Sequence, residues 1–297
     1  MTGKKYRIHS LEFDAKPIDP GLYIVATPIG NLADITVRAL EVLSSCDVIA
    51  CEDTRTSRKL LDRYQITTRT VAYHEHNAEF ASGKIIEALE EGKTIALISD
   101  AGTPLISDPG FRVVNDAIDA GHKVIPVPGA SSVLTALMAA GLPTDSFYYA
   151  GFLPNKEKAR SDRLNELQHL KATLVFFESP HRIGATLKNA ASILGENRPA
   201  CVCRELTKSH EEFAQGSLQE LYETFDARNV KGEIVLVVGP PQEDDIDLDE
   251  DITPLLTKLA SEMSTSQAAS EAARITGRAR KDLYQQLLAL KNDVDDG

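Results

Sequence analysis

The stretch "YIVATPIGNLADIT", Tyr23–Thr36, runs a strand-forming segment straight into a Thr-Pro-x-Gly-Asn turn and then into a helix-like segment. A strand that opens through a tight turn into a helix is the repeating unit of α/β folds, and phosphate-binding loops often occupy such turns. This one has a single glycine and a proline where G-x-G-x-x-G or a P-loop requires more glycine, so it departs from the phosphate-binding patterns.

Working outward, apolar runs of strand length recur: "LYIVAT", "DVIAC", "TVAYH", "TIALIS" and "KVIPV". Helix-period segments lie between them: "VRALEVLSSC", "RKLLDRY", "GKIIEALEEG" and "FRVVNDAIDAG". This alternation predicts βαβ units on a largely parallel sheet of five strands, since strands covered on both faces read as continuous apolar runs. From "PGASSVLTALMAAGLP" the pattern changes. Strands "FYYAGFL", "TLVFFES", "ACVCREL" and "EIVLVVG" are joined by a helix around Arg160–Leu170, another near Ile183–Leu194, and an irregular piece, "TKSHEEFAQGSLQELYETF". A second α/β layer with some antiparallel pairing is expected.

The expected organisation is an N-terminal extension over 1–19, α/β subdomains over 20–127 and 128–240, an acidic linker over 241–251 and a small helical module over 252–292. "EDDIDLDED", Glu243–Asp251, is polar and highly charged, which predicts a solvated linker. The module beyond it reads as two or three short helices with a break at Gly277. It is small for an independent core and is expected to dock on the main body.

At 297 residues, 42% of them hydrophobic, the chain fills real cores. It has no run of eighteen apolar residues and no apolar middle to its N-terminus, so neither membrane insertion nor secretion is indicated and a cytoplasmic location is expected. The four cysteines form no C-x-x-C pair, which predicts reduced, structural thiols. Net charge is −12, at first sight unfavourable for a nucleic-acid partner. Seven of the acids lie in the linker, however, which leaves −5 on the rest and room for local basic patches.

Open α/β sheets bind ligands beyond the carboxyl ends of their strands. Those ends carry "ATPIGN", "CEDTRTS", "YHEHN", "ISDAGTPLISDPG" and "PVPGASS". In "SDAGTPLISDPG", Ser99–Gly110, small residues let the backbone approach a ligand, Pro104 stiffens the loop, and "DPGF" reads as an N-cap with proline in the first helical turn. "PGASS", Pro128–Ser132, puts two hydroxyls at a helix start, where they cap the helix or bond a ligand. These loops lack the lysine a triphosphate demands; the "GKT" ending at Thr94 precedes a strand and is no P-loop. His74 and His76 of "YHEHN" share a face if the strand continues that far, but further metal ligands are lacking nearby, so no metal is expected.

The motifs "VATPIGNLADIT", "CEDTRTSRKLL", "ISDAGTPLISDPG", "PVPGASS", "GFLP", "FFESPHRI", "CRELTKSHEE" and "KGEIVLVV" together resemble the ribosomal RNA ribose 2′-O-methyltransferase family. That family is a branch of the tetrapyrrole (corrin/porphyrin) methylase superfamily. The likeness runs in order from about Leu22 to Val238, and the last segment is similar to the helix-turn-helix-like tail of this branch. It implies an α/β, two-domain tetrapyrrole-methylase-like fold (class III of the S-adenosylmethionine methyltransferases) with a small C-terminal helical module. The implied function is S-adenosylmethionine-dependent methylation of a cytidine ribose 2′-hydroxyl in small-subunit (16S) ribosomal RNA, by a homodimer. Where tetrapyrrole-methylating members have a glycine-rich first loop and a Gly-Asp-Pro-type loop, this chain has "ATPIGN" and "SDAGTP", which speaks against a tetrapyrrole precursor as the alternative substrate. A nucleic-acid-binding regulator built on the C-terminal helices is the other alternative, hinted at only by "GRARK".

By resemblance, Pro28 and Gly30 line the cofactor cleft, Asp100, Ala101, Gly102, Thr103 and Pro104 wrap the methionine portion, Ser131 and Ser132 add hydroxyls, and Phe152, Leu153 and Ile234 flank the adenine. A carboxylate near the 2′-hydroxyl would take its proton. Glu52, Asp53, Glu178 and Glu205 are the candidates, each alternatively an ion-pair partner of Arg55, Arg182 or Lys208. Candidate RNA contacts are Arg55, Arg182, Arg204 and Lys208, then Lys156, Lys158 and Arg160 in the cluster Lys156–Arg163, and Arg278, Arg280 and Lys281 in the tail.

Overall fold

The computed structural model describes residues 4–241, 253–276 and 279–295. The expected linker beyond residue 241, the Gly277 break and the candidate Arg278 lie outside the described residues.

The chain opens with a hairpin, β1 (Lys5–Ile8) and β2 (Leu11–Asp14). A five-stranded, all-parallel sheet follows: β3 (Gly21–Val25), β4 (Val48–Cys51), β5 (Arg69–Ala72), β6 (Thr94–Ile98) and β7 (Val124–Val127), in the order β5-β4-β6-β3-β7. The connecting helices are α1 (Val37–Ser45), α2 (Thr54–Arg63), α3 (Ala78–Glu90) and α4 (Phe111–Asp119). Thr36 and Asp53 cap α1 and α2 with their side chains, satisfying first-turn amides. Helices α1 and α2 pack Leu40, Leu43 and Leu61 on one face of the sheet, and α3 and α4 pack Ile85, Leu89 and Val113 on the other. Double coverage is why β6 is buried at every position and reads as an unbroken apolar run.

After α5 (Ser132–Ala139) comes a second five-stranded sheet: β8 (Phe147–Phe152), β9 (Thr173–Glu178), β10 (Pro199–Arg204), β11 (Glu212–Ser217) and β12 (Ile234–Val238), in the order β11-β10-β12-β9-β8. Only β8 and β9 pair in parallel; the other pairs are antiparallel. The helices α6 (Glu157–Leu167), α7 (Ile183–Leu194) and α8 (Leu218–Asp226) cover one face around Phe176, Leu187 and Leu236. The opposite face packs against α5 and against Ile29 from the loop after β3. All four cysteines are free and buried, and burial pushes the Cys46 thiol up to about 12.

Residues up to Gln242 form one compact unit and those from Glu243 a second. Within the second, α9 (Thr253–Glu262), α10 (Thr265–Thr276) and α11 (Arg280–Asp295) bury Leu256, Leu259, Ala268, Ala272 and Leu283 among themselves. Among the described residues no helix is long and apolar enough to cross a membrane.

Two local expectations are corrected. β5 stops at Ala72, and Glu75–Asn77 turn as a 3-10 helix, so the two histidines do not share a strand face; their rings meet edge-on with centroids 6.1 Å apart. Helix α4 starts at Phe111 behind Gly110, whose φ of 134° only glycine takes easily, so Asp108 stands clear of the N-cap position.

Candidate functional site

In the first sheet β4, β6, β3 and β7 are successive neighbours, which brings the loops at their carboxyl ends together. Thr27 and Gly102 exchange backbone hydrogen bonds of 2.8 and 3.0 Å, linking the loops after β3 and β6. Gly102 has φ of 80°, and a Cβ there would stand 3.2 Å from Ile29 Cγ2, so the close approach requires glycine. Thr103 Oγ1 donates to Ala130 O at 3.2 Å, tying in the loop after β7. The amide of Asp53 donates to Asp100 Oδ1 at 3.1 Å, tying in the loop after β4.

These loops and the second sheet enclose a cavity of about 500 Å³, within the range of small-molecule sites. From the first sheet it is lined by Ile29, Glu52, Asp100–Thr103 and Ile106–Asp108. Ser131–Val133 at the start of α5 continue the wall, and Ser131 also caps that helix. The second sheet contributes Phe152, Phe177–Pro180 and Gly232–Val235. Leu105 and Ser107 hold left-handed backbone, at φ of 73° and 61°. For side chains other than glycine that conformation is costly, and it persists only where contacts enforce it. The contact at Ser107 is a 2.6 Å hydrogen bond between its hydroxyl and that of Tyr149 on β8, spanning the two sheets.

The cavity's charge is one-sided. Among the described residues no lysine, arginine or histidine lines it, whereas Glu52, Asp100 and Asp108 from the first sheet's loops and Glu178 and Glu233 from the second sheet's side do. Burial, reinforced by the charges of Asp100 and Asp108, raises the Glu52 carboxyl above the usual range. Burial likewise raises Asp108, only partly offset by a hydrogen bond from Ser99. Such a wall repels phosphate and favours a cation. The same cavity presents Ile29, Val133, Phe177, Ile234 and Val235, an apolar surface of the kind that holds a flat ring. A ligand with a positive centre at one end and an aromatic base at the other, as S-adenosylmethionine is, fits this donor set.

The four candidate bases separate clearly. Asp53 caps α2 and pairs with Arg55 at 2.7 Å, which holds its carboxyl down at about 2. Glu205 pairs with Lys208 at 2.8 Å, accepts the Glu233 amide and lies outside the cavity lining. Glu178 lines the cavity but is committed to the Ser179 amide, the Thr186 hydroxyl and Arg182. Glu52 alone of the four faces the cavity without a salt-bridge partner among the described residues, His74 being the basic group that acts on it from nearby. Among the cofactor candidates, Asp100–Thr103, Ser131, Ser132, Phe152 and Ile234 line the cavity. Pro28, Gly30, Pro104 and Leu153 do not: Pro28 and Pro104 are buried, Leu153 belongs to the second sheet's core, and Gly30 presses on the turn Leu206–Lys208.

Several RNA candidates have partners within the fold. Arg160 is 5% exposed, with its guanidinium on Asn189 Oδ1 and Asn155 O. Arg182 binds the carbonyls of Leu153 and Pro154 and the Asn155 side chain, Arg204 binds Glu212 and Lys231 O, and Lys208 bridges Glu205 and Glu233. Arg280 donates to Ser266. Arg55 pairs with Asp53, while Lys156, Lys158 and Lys281 are exposed and have no ion pair among the described residues. Sequence reasoning misses Ser107, Asp108 and Tyr149 as site residues; "ISDPG" holds the first two in plain sight, but reading Asp108 as a helix cap hides its place in the cavity.

Comparison with known proteins gives a consistent picture. The family model described as Tetrapyrrole (Corrin/Porphyrin) Methylases matches residues 21–222, and that described as RsmI C-terminal HTH domain matches residues 246–291. A Mesorhizobium japonicum protein named "Ribosomal RNA small subunit methyltransferase I" is 54% identical over 96% of this chain and 97% of its own length. A protein of the same name from Escherichia coli O157:H7 is 45% identical over 90% and 94%. Among solved structures, a cobalt precorrin-4 methyltransferase superposes with a TM-score of 0.57 at 20% identity, over 73% of this chain and 94% of that one. Diphthine synthase superposes with a TM-score of 0.59 at 17% identity, over 73% and 89%.

Proposed function

Since the chain belongs to the tetrapyrrole (corrin/porphyrin) methylase family, and within it to the group of ribosomal RNA small subunit methyltransferase I, we propose that it methylates the ribose 2′-hydroxyl of a cytidine in small-subunit ribosomal RNA. It is an S-adenosylmethionine-dependent methyltransferase. The observation that carries the reading is the cavity between the sheets, lined by carboxylates and apolar side chains and, among the described residues, by no lysine, arginine or histidine.

Asp100–Thr103 with Ser131 and Ser132 would hold the amino-acid end of the cofactor, and Ile234 and Val235 its adenine. When bound, the cofactor supplies a methyl group already activated on a sulfonium. The protein's share is to align the acceptor oxygen, which is worth up to about 7–11 kcal/mol for well-placed partners, and to receive its proton. Glu52 receives it: its raised affinity for a proton, which burial and the charges of Asp100 and Asp108 maintain against the opposing influence of His74, suits it to a weakly acidic hydroxyl. No metal is required for this chemistry. The enzyme is proposed to work in the cytoplasm as a homodimer, for which the exposed apolar side chains Phe111 and Ile118 of α4 and Leu134 and Met138 of α5 offer a surface.

The test is incubation of the full chain with labelled cofactor and small ribosomal subunits, then digestion to nucleosides, with a parallel incubation in which uroporphyrinogen replaces the subunits. Label in 2′-O-methylcytidine supports the reading. Label in a tetrapyrrole such as uroporphyrinogen, or on a base and not on a ribose, overturns it.

A further inference from the structure

We infer that the strap Phe152–Lys158 at the rim of the cavity reads the substrate nucleotide, with the Phe152 ring stacking on its base and Lys156 and Lys158 taking flanking phosphates. The inference rests on the RNA-methylating reading above and assigns Phe152 to the substrate and not to the cofactor's adenine.

Phe152 lines the cavity and is 58% exposed, which leaves a ring face open at the entrance. Its placement is built. Pairing of β8 with β9 slips by one residue between Tyr149 and Gly151, and Gly151 takes φ of 69°. Residues three apart in a regular strand point to opposite faces; the extra residue turns both Tyr149 and Phe152 toward Phe177. The three rings form a ladder, with Tyr149 5.0 Å and Phe152 5.5 Å from Phe177, both edge-on. Tyr149 is fixed at the inner end by Ser107, so the ladder ends at the rim in Phe152.

The backbone behind that ring is clamped as well. Arg182 donates to Leu153 O at 2.7 Å, to Pro154 O at 3.2 Å and to Asn155 Oδ1, while its Nε stands 3.4 Å from Glu178 Oε1. A strap held this way does not collapse onto the apolar wall. Immediately beyond it, Lys156 and Lys158 extend from the start of α6 as exposed cations with no ion pair among the described residues. The nearby Arg160 and Arg182 are already engaged by the fold. A ribose buried within folded RNA reaches a cavity only when its nucleotide is extruded, and extruded bases are received on aromatic faces. One open ring at the entrance and two free ammonium groups beside it match a base with its phosphates.

The experiment compares wild type with Phe152→Ala, Phe152→Trp and Lys156→Gln/Lys158→Gln, all in the full chain. It measures KM for small ribosomal subunits, the salt dependence of RNA binding and, by calorimetry, the Kd for S-adenosylmethionine. Loss of one base stack is expected to raise the RNA KM of Phe152→Ala at least tenfold, with cofactor Kd within twofold of wild type and near-normal KM restored in Phe152→Trp. The double lysine variant is expected to lower the salt slope by about 0.7–0.9 for each phosphate that is no longer neutralised. Weakened cofactor binding in Phe152→Ala with an unchanged RNA KM would give the ring to adenine and overturn the inference alone. Failure of the wild type to methylate ribosomal RNA would overturn the RNA reading, and the inference with it.

Discussion

Arg182 separates two roles that one sequence motif allows, a phosphate contact or a structural clamp. In Arg182→Gln the Glu178 carboxylate, whose side chain is 0% exposed, loses its cation, and the strap over Leu153–Asn155 loses its three anchors. Removing one partner of a buried pair costs about 3–5 kcal/mol. Here the carboxylate keeps hydrogen bonds of 2.6 Å from both the Ser179 amide and the Thr186 hydroxyl, and Arg182 itself is 24% exposed. Those contacts bring the expected cost down to about 2–3 kcal/mol. At about 2–4 °C per kcal/mol for a unit of this size, Tm falls by about 4–12 °C. Neutralising the buried acid as well, in Glu178→Gln/Arg182→Gln, recovers part of the loss, because no charge is then stranded. The assay pairs thermal unfolding with RNA binding across a salt series. An unchanged Tm together with a salt slope lowered by about 0.7–0.9 would show that Arg182 grips a phosphate and would refute the clamp.

Glu52→Gln is expected to cut kcat by about 10²–10⁴ with cofactor Kd little changed, as measured under single-turnover conditions. Because Glu52 must be deprotonated to accept the proton and its carboxyl lies above the ordinary 4.5, the acid limb of the pH–rate profile is displaced upward from that value and disappears in the glutamine variant. Gly30→Ala places a Cβ 2.9 Å from the Leu206 carbonyl oxygen and 2.5 Å from Lys208 Cγ. Since main chain cannot easily move aside, a loss of about 1–3 kcal/mol is expected in denaturant unfolding. Arg228 and, after it, Arg204 hold Glu212 down at about 2, so its contribution to stability is present above the ordinary 4.5 and lost as pH falls toward 2. Discounted for solvent screening it is about 1–2 kcal/mol, and the Tm gap between wild type and Glu212→Gln should close over that acid range.

The parallel sheet was legible because every strand in it is apolar enough to stand out between amphipathic helices. The hairpin β1–β2 was not: "KYRI" and "LEFD" mix charge with ring and leave most side chains half-buried or exposed. Strand β11, "EFAQGS", sits at a sheet edge with no residue fully buried and lacks an apolar signal for the same reason. Helix α8 did carry a readable signal, the capping box of Ser217 with Glu220. In the site, the pairs Asp53–Arg55, Glu178–Arg182 and Glu205–Lys208 follow from spacings of two to four residues and were visible as alternatives to catalysis. The partners that tie up Arg160 and Arg204, Asn189 and the Lys231 carbonyl, lie 29 and 27 residues away and become visible only in the fold.

The charge pattern also bears on how a polyanion uses an acidic cavity. Five carboxylates, Glu52, Asp100, Asp108, Glu178 and Glu233, line it, and among the described residues no lysine, arginine or histidine does, so it favours the cofactor's cationic centre and repels an entering phosphate. On the proposed reading phosphates are held at the rim, where Lys156 and Lys158 stand exposed, and the part of a nucleotide that enters is its uncharged ribose edge. Two of the carboxylates that exclude phosphate, Asp100 and Asp108, also raise the proton affinity of Glu52. Exclusion and catalysis thus draw on one arrangement, so Asp100→Asn and Asp108→Asn should lower the pH at which the acid limb appears even though neither residue takes the proton.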